Sequence, residues 1–127
     1  MEKDVRDTKI LFFDDRVEQI DELFNILVHK DYRVQRIGFQ QQMLDDTLLE
    51  LPDLIVLHIT LPETKSYTIC QQLRADEKTQ DIPIILVHIQ NDNREKLKYL
   101  RLGIFDYITQ PTTREEILLR TENQIHT

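Results

Sequence analysis

Five short apolar runs, each followed by a longer stretch with helical spacing, constrain this chain more than any other feature of its sequence. The runs are Ile10 to Phe13, Leu54 to Ile59, Ile84 to Ile89 and Phe105 to Ile108, with Arg33 to Ile37 as a fifth and more polar member. Short runs rich in Ile, Leu, Val and Phe read as strands. Between and after them apolar residues recur at helical intervals: Val17, Ile20, Leu23, Phe24 and Leu27; Met43, Leu44 and Leu48; Ile69 and Leu73; Leu97 and Leu100; Ile117, Leu118 and Ile125. That spacing predicts five helices. Strands with little polar alternation need cover on both faces, which parallel strands joined by right-handed helical crossovers supply. The expected fold class is therefore α/β, a doubly wound five-stranded parallel sheet with helices on each side.

At 127 residues the chain is the size of one domain, enough to bury about two-thirds of its unfolded surface in a single core. We expect a polar, frayed start over 1–8 and a single domain over 9–127. With two glycines and four prolines there is no internal flexible linker. A net charge of −7 supplies no basic patch for phosphate contact, which argues against nucleic-acid binding and leaves proteins as the expected partners. No apolar run approaches the ~18 residues that span a bilayer, and the start MEKDVRDTKI is too charged for a secretory signal. A cytoplasmic location without membrane contact is the expectation. The lone Cys70 makes no internal disulfide, which agrees with a reducing compartment, and it reads as a small thiol against a helix.

In doubly wound sheets ligands sit beyond the carboxyl ends of the strands. Here the first strand ends in Asp14-Asp15, the third in His58 and Thr60, the fourth in His88, and the fifth in Thr109-Gln110-Pro111. Two carboxylates and two imidazoles are expected to converge on one end of the sheet. Singly, acids after a strand serve as helix caps, and strand-end histidines as hydrogen-bonded structural groups. Together, on three strand ends, they are more informative.

From Lys9 to Ile125 the chain resembles the receiver domain of two-component response regulators. The matching segments are ILFFDD at 10–15, PDLIVLHITLP at 52–62, YTICQQLRADEKTQDIPIILV at 67–87 and GIFDYITQP at 103–111. The resemblance implies a CheY-like, flavodoxin-type (βα)5 topology with strand order 2-1-3-4-5. It also implies that the acid pair binds Mg²⁺, that an aspartate ending the third strand accepts a phosphoryl group, and that a hydroxyl and a lysine end the fourth and fifth strands. Only the acid pair, Asp14 and Asp15, matches that pattern. His58 stands at the phospho-acceptor position, His88 at the hydroxyl position and Gln110 at the lysine position, and Ser66 replaces a glycine.

Phosphoryl transfer to a carboxylate needs the carboxylate, a hard cation, and donors around the developing charge. Three of those parts are missing, so the sequence reads as a degenerate receiver that is not an enzyme, requires no cofactor and works through protein contact. Asp14, Asp15 and Thr60 remain as a weak Mg²⁺ set. A different ligand chemistry is the alternative: imidazole suits transition metals, so Asp14, Asp15, His58 and His88 form a candidate set for Zn²⁺ or Ni²⁺. The same carboxylates favour the imidazolium, which makes pH sensing a related expectation. A conventional receiver phosphorylated at an atypical acceptor is the second alternative.

The resemblance places the output surface on the fourth helix, fifth strand and fifth helix, with Tyr107 at the aromatic switch position and Gln110-Pro111 at the family's cis peptide. Lys96, Lys98, Arg101, Glu115 and Glu116 dress that face for a partner or a homodimer, although surface charges are commonly just solvated. The ending EEILLRTENQIHT reads as an amphipathic helix, and it resembles the stretch through which cyanobacterial-type receivers run into a following kinase or cyclase domain. An excised module covalently linked to an output or kinase domain is one expectation.

Overall fold

The computed structural model describes residues 5–14, 21–38, 45–59, 64–88, 93–104, 106–109 and 112–125. Five strands form one parallel sheet: β1 (Lys9–Asp14), β2 (Arg33–Ile37), β3 (Leu54–Ile59), β4 (Ile84–His88) and β5 (Asp106–Thr109). Their order is β2-β1-β3-β4-β5, as the resemblance implied. The helices are α1 (Glu22–His29), α2 (described over 45–47), α3 (Thr64–Ala75), α4 (Asn93–Arg101) and α5 (Arg114–Ile125). No helix among the described residues is long and apolar enough to cross a membrane.

Strand side chains alternate between faces, and that alternation divides the core in two. Leu11, Phe13, Ile55, Leu57, Ile84 and Leu86 lie with Ile69, Cys70 and Leu73 of α3 and Tyr99 of α4. Ile10, Phe12, Leu54, Val56, Ile85, Val87 and Ile108 lie with Leu23 and Leu27 of α1 and Ile117 of α5. All six residues of β1 are buried, which explains why its sequence carries no polar alternation until Asp14. On the edge, β2 alternates exposed and covered residues, and its polar sequence follows from that position.

Local chemistry sets the helix ends. Asp21 has extended backbone, and its carboxylate accepts from the amides of Leu23 and Phe24, so the N-cap of α1 is Asp21. At the end of α4, Gly103 takes φ +80, and the Gly103 and Ile104 amides donate to the carbonyls of Leu100 and Tyr99. Those paired bonds make a Schellman stop, with Ile104 and Tyr99 together in the core. Thr113 Oγ1 accepts from the Glu116 amide and caps α5.

Several expectations are corrected. On α4 the pair Leu97 and Leu100 was expected inward, yet they are 54% and 44% exposed, and Tyr99, at 1%, is the buried residue. The reason is its partner: the Tyr99 ring meets that of Tyr67 from α3 edge to face at 5.6 Å. Residues 5–7, expected to belong to a frayed start, form a 3-10 turn; Thr8 is buried, and its carbonyl accepts from the Arg33 amide. Helical spacing suggested that the first helix includes Val17 and Ile20; α1 is described from Glu22, and residues 15–20 lie outside the described residues. β1 runs one residue further at each end than expected, and β5 extends to Thr109. Met43, Leu44, Ile89 and Phe105 also lie outside the described residues.

Candidate functional site

Asp14 ends β1, and the β1–β3 register places it directly beside His58. Both positions share the parity of Phe12 and Val56, so both side chains leave the sheet on the α1 side. Both are buried, Asp14 completely. His58 Nδ1 lies 4.0 Å from Asp14 Oδ2, so two residues singled out from the sequence do meet.

The closest partner of His58 is a residue the sequence reading missed. Its Nδ1 lies 2.8 Å from Oδ2 of Asp21, the cap of α1. Asp21 divides its carboxylate between two tasks: Oδ1 accepts from the Leu23 amide at 2.9 Å and the Phe24 amide at 3.3 Å, while Oδ2 faces the imidazole. A carboxylate oxygen only accepts, so Nδ1 carries a proton, whether the ring is neutral or charged. Burial pushes the Asp21 carboxyl up. The hydrogen bond and charge of His58 and the Phe24 amide outweigh that and hold it at about 2.

The second missed residue is Arg36 of β2. Its NH2 donates to Asp14 Oδ2 at 2.7 Å, and its guanidinium lies 5.5 Å from the centre of the Phe24 ring. Phe12 closes the opposite side, its ring edge-on to His58 at 6.3 Å. The four polar groups come from β1, β2, β3 and the head of α1. Two carboxylates and one guanidinium leave one negative charge with His58 neutral, and none with His58 protonated.

Both missed residues left signals. Asp21 stands immediately before ELFNILV, where a capping residue belongs. Arg36 lies two residues after Val34 in a strand, so it shares Val34's inward face, and a covered arginine implies an acidic partner.

Asp14, Asp21 and His58 each offer one ligand atom, and these lie within 4.8 Å of one another. The set nevertheless fits Mg²⁺ poorly. Mg²⁺ takes six oxygens in near-octahedral array. Here one donor is an imidazole whose Nδ1 is bonded to Asp21, and the Asp14 oxygen nearest His58 is held by Arg36.

The other expected site residues are less fully placed. His88 ends β4, in register with Ile59 and Thr109, and its side chain lies outside what is described. Asp15, Thr60, Gln110 and Pro111 lie outside the described residues, and with them the Asp14-Asp15-Thr60 Mg²⁺ set and the Gln110-Pro111 bond. Ser66 is fully buried near the start of α3.

On the far side of the sheet Tyr107, half-buried, lies against the α3–α4 half of the core. It helps line a cleft of about 420 Å³ with Tyr99, Leu100, Ile104, Thr109, Glu116 and Arg120. Arg120 holds that wall together, donating to Asp106 at 2.7 Å and to Glu116 at 3.2 Å. The bond to Asp106, with that to Glu116 and both carboxylate charges, raises the Arg120 guanidinium further despite partial burial.

Comparisons with known proteins agree with this fold. Residues 10–122 match the family model described as response regulator receiver domain. The chain is 32% identical over 127 residues to the probable transcriptional regulator ycf27 of Cyanophora paradoxa, covering 94% of this chain and 52% of that protein. It is 34% identical over 113 residues to the response regulator ArlR of Staphylococcus aureus, covering 89% and 50%. A shorter match, 41% identical over 69 residues, is to the DNA-binding dual master transcriptional regulator RpaA of a Synechocystis strain, covering 54% and 29%. The chain thus spans about half, or less, of the length of these relatives. Among solved structures, a putative response regulator from Chloroflexus aurantiacus superposes with a TM-score of 0.83 at 26% identity, covering 94% of this chain and 98% of that one. The signal receiver domain of a histidine kinase from Syntrophus aciditrophicus superposes with a TM-score of 0.79, also at 26% identity, covering 94% and 90%.

Proposed function

Because the chain belongs to the response regulator receiver domain family, we propose that it is a two-component signalling module whose phosphorylation site has been retired, and that it acts through protein contact. The observation that carries this reading is the state of His58. By the resemblance it stands where the family accepts the phosphoryl group. It is an imidazole, 2% exposed, with Nδ1 committed to Asp21. Its neighbour Asp14 is committed to Arg36. Among the described residues a phosphoryl donor meets neither an exposed nucleophile nor an open cation site, and preorganised charge is what such transfer depends on.

The contact surface in this reading is the face of α4, β5 and α5. Leu97 and Leu100 of α4 and Leu119 of α5 are exposed, and Leu100 helps line the cleft with Tyr107 and Arg120. Its occupant is a protein: a signalling partner, a covalently linked output or kinase domain, or a second copy of this chain. Relatives carrying the names of transcriptional regulators, ycf27 and RpaA, make an output domain in the same polypeptide the favoured partner.

The test is a two-dimensional amide NMR spectrum recorded alone, then with Mg²⁺ and beryllofluoride, then with Mg²⁺ and acetyl phosphate. Unchanged resonances at residues 14, 58 and 107, and no phosphoryl mass gain, are expected. Saturable shifts or incorporation at any residue would return the chain to the phosphorylated receivers.

A further inference from the structure

We propose that Arg36 is the built-in counter-ion of this site. It supplies from within the fold the positive charge that a divalent cation supplies in a receiver, and it keeps divalent cations off Asp14. This deepens the retired-site reading and rests on it for its meaning in signalling.

The argument starts from Asp14. A fully buried carboxylate must be paired or neutralised. The side chain of Asp14 has no exposure, and the Arg36 guanidinium, 12% exposed, lies 2.7 Å from it. A guanidinium is a permanent charge in proteins and suits a buried ion pair. Its placement is enforced from three sides: the β1–β2 register sets Arg36 beside Phe12, strand alternation turns it toward α1, and Phe24 of α1 lies against the guanidinium. Arg36 therefore ties β1 and β2 to the first turn of α1.

A divalent cation entering this gap meets two obstacles. It must bind an Asp14 carboxylate whose Oδ2 is already bonded to a guanidinium, and to use Nδ1 it must part His58 from Asp21. It also adds two positive charges to a group carrying at most one net negative charge. Without the guanidinium the balance reverses. Asp14, Asp21 and His58 then present two carboxylates and an imidazole within 4.8 Å of one another, a donor set that suits Mn²⁺ or Zn²⁺.

The experiment compares the unmodified chain with Arg36→Met, which keeps the length of the side chain and removes its charge. Each is titrated with Mn²⁺, read by paramagnetic broadening of amide resonances, and with Zn²⁺, read by calorimetry and thermal melting. The unmodified chain is expected to show no saturable broadening at residues 14 and 58. Arg36→Met is expected to bind one ion at least tenfold more tightly, with binding abolished by adding Asp14→Asn. Should Arg36→Met not fold alone, folding restored by Mn²⁺ or Zn²⁺ supports the proposal, and failure of both ions to restore it overturns it. Equal affinity in the two proteins, or a folded variant that binds neither ion, also overturns it.

The arms separate this inference from the reading beneath it. Saturable Mn²⁺ binding to the unmodified chain, with no response to acetyl phosphate, removes the role given to Arg36 and leaves the retired site standing. Phosphoryl incorporation into a chain that binds no Mn²⁺ does the opposite.

Discussion

Asp21 joins the first turn of α1 to the end of β3 by dividing its carboxylate: Oδ1 receives the Leu23 amide, and Oδ2 lies 2.8 Å from His58 Nδ1. One side chain thus satisfies helix donors that lack intrahelical partners and a buried imidazole at once. The arrangement makes the head of α1 and the end of β3 a single mechanical unit.

Two substitutions at Asp21 separate its tasks. Asn is as good a cap as Asp, so Asp21→Asn is expected to keep α1 and lose only the carboxylate facing His58, costing about 1–2 kcal/mol. Asp21→Ala loses the cap as well, about 1 kcal/mol more. Urea denaturation of the two variants measures the difference. Equal losses would mean that the cap contributes nothing, and an undiminished stability in Asp21→Asn would mean that the imidazole contact contributes nothing.

Acid should weaken the fold through the same carboxylate. Its folded value lies at about 2, below the ordinary 3.8. For a depressed acid the stabilisation is complete above the unfolded value and is lost as pH falls through the folded one. The window therefore opens near pH 4 and closes near 2, with about 2 kcal/mol at stake. Denaturation midpoints across that window should fall less in Asp21→Asn than in the unmodified chain.

The fold was legible because its cause is periodic. Runs such as Leu54 to Leu57 are apolar throughout because both faces of β3 are buried, and that pattern needs no knowledge of distant residues. The site was only half legible. Asp14 and His58 could be placed at neighbouring strand ends, but their partners answer to three-dimensional rules. Asp21 reads locally as one more acid in a polar stretch, and only the folded chain brings it 37 residues across to His58. Arg36 was lost in the polarity of an edge strand, where inward and outward charges look alike. On α4 the spacing pointed to leucines, whereas the volume between α3 and α4 takes the larger Tyr99.

That correction on α4 has a direct test. Tyr99→Ala opens a cavity in a packed core and should cost about 3–5 kcal/mol. Leu97→Ala, at an exposed position, should stay within about 0.5 kcal/mol of the unmodified chain. A larger loss at Leu97 than at Tyr99 in chemical denaturation would restore the face expected from spacing alone.

Cys70 is fully buried, and burial pushes its thiol up to about 12 despite the nearby charge of Arg74. The thiolate is the reactive form. The native protein is expected to resist a thiol-specific reagent at pH 8 and to react with one equivalent in urea. Rapid modification of the folded chain would contradict the burial.

Restoring an aspartate at position 58 should not restore a working receiver. His58→Asp places a third carboxylate against Asp21 and Asp14, which lie 2.8 Å and 4.0 Å from His58 Nδ1, while Arg36 stays on Asp14. The buried group then carries two net negative charges instead of one or none. Like charges at that range raise carboxylate pKa values, so the sign of the pH response reverses around this site. Protonation relieves the repulsion, and the variant is expected to gain stability as pH falls from about 7 to 5, where the unmodified chain keeps its Asp21 contribution in full. Acetyl phosphate with Mg²⁺ should leave its mass unchanged if, as proposed, Gln110 stands at the lysine position and Arg36, bonded to Asp14, acts as the counter-ion. A mass gain of one phosphoryl group in His58→Asp, absent from the unmodified chain, would show that a single substitution retired this site and that Arg36 is no obstacle to its chemistry.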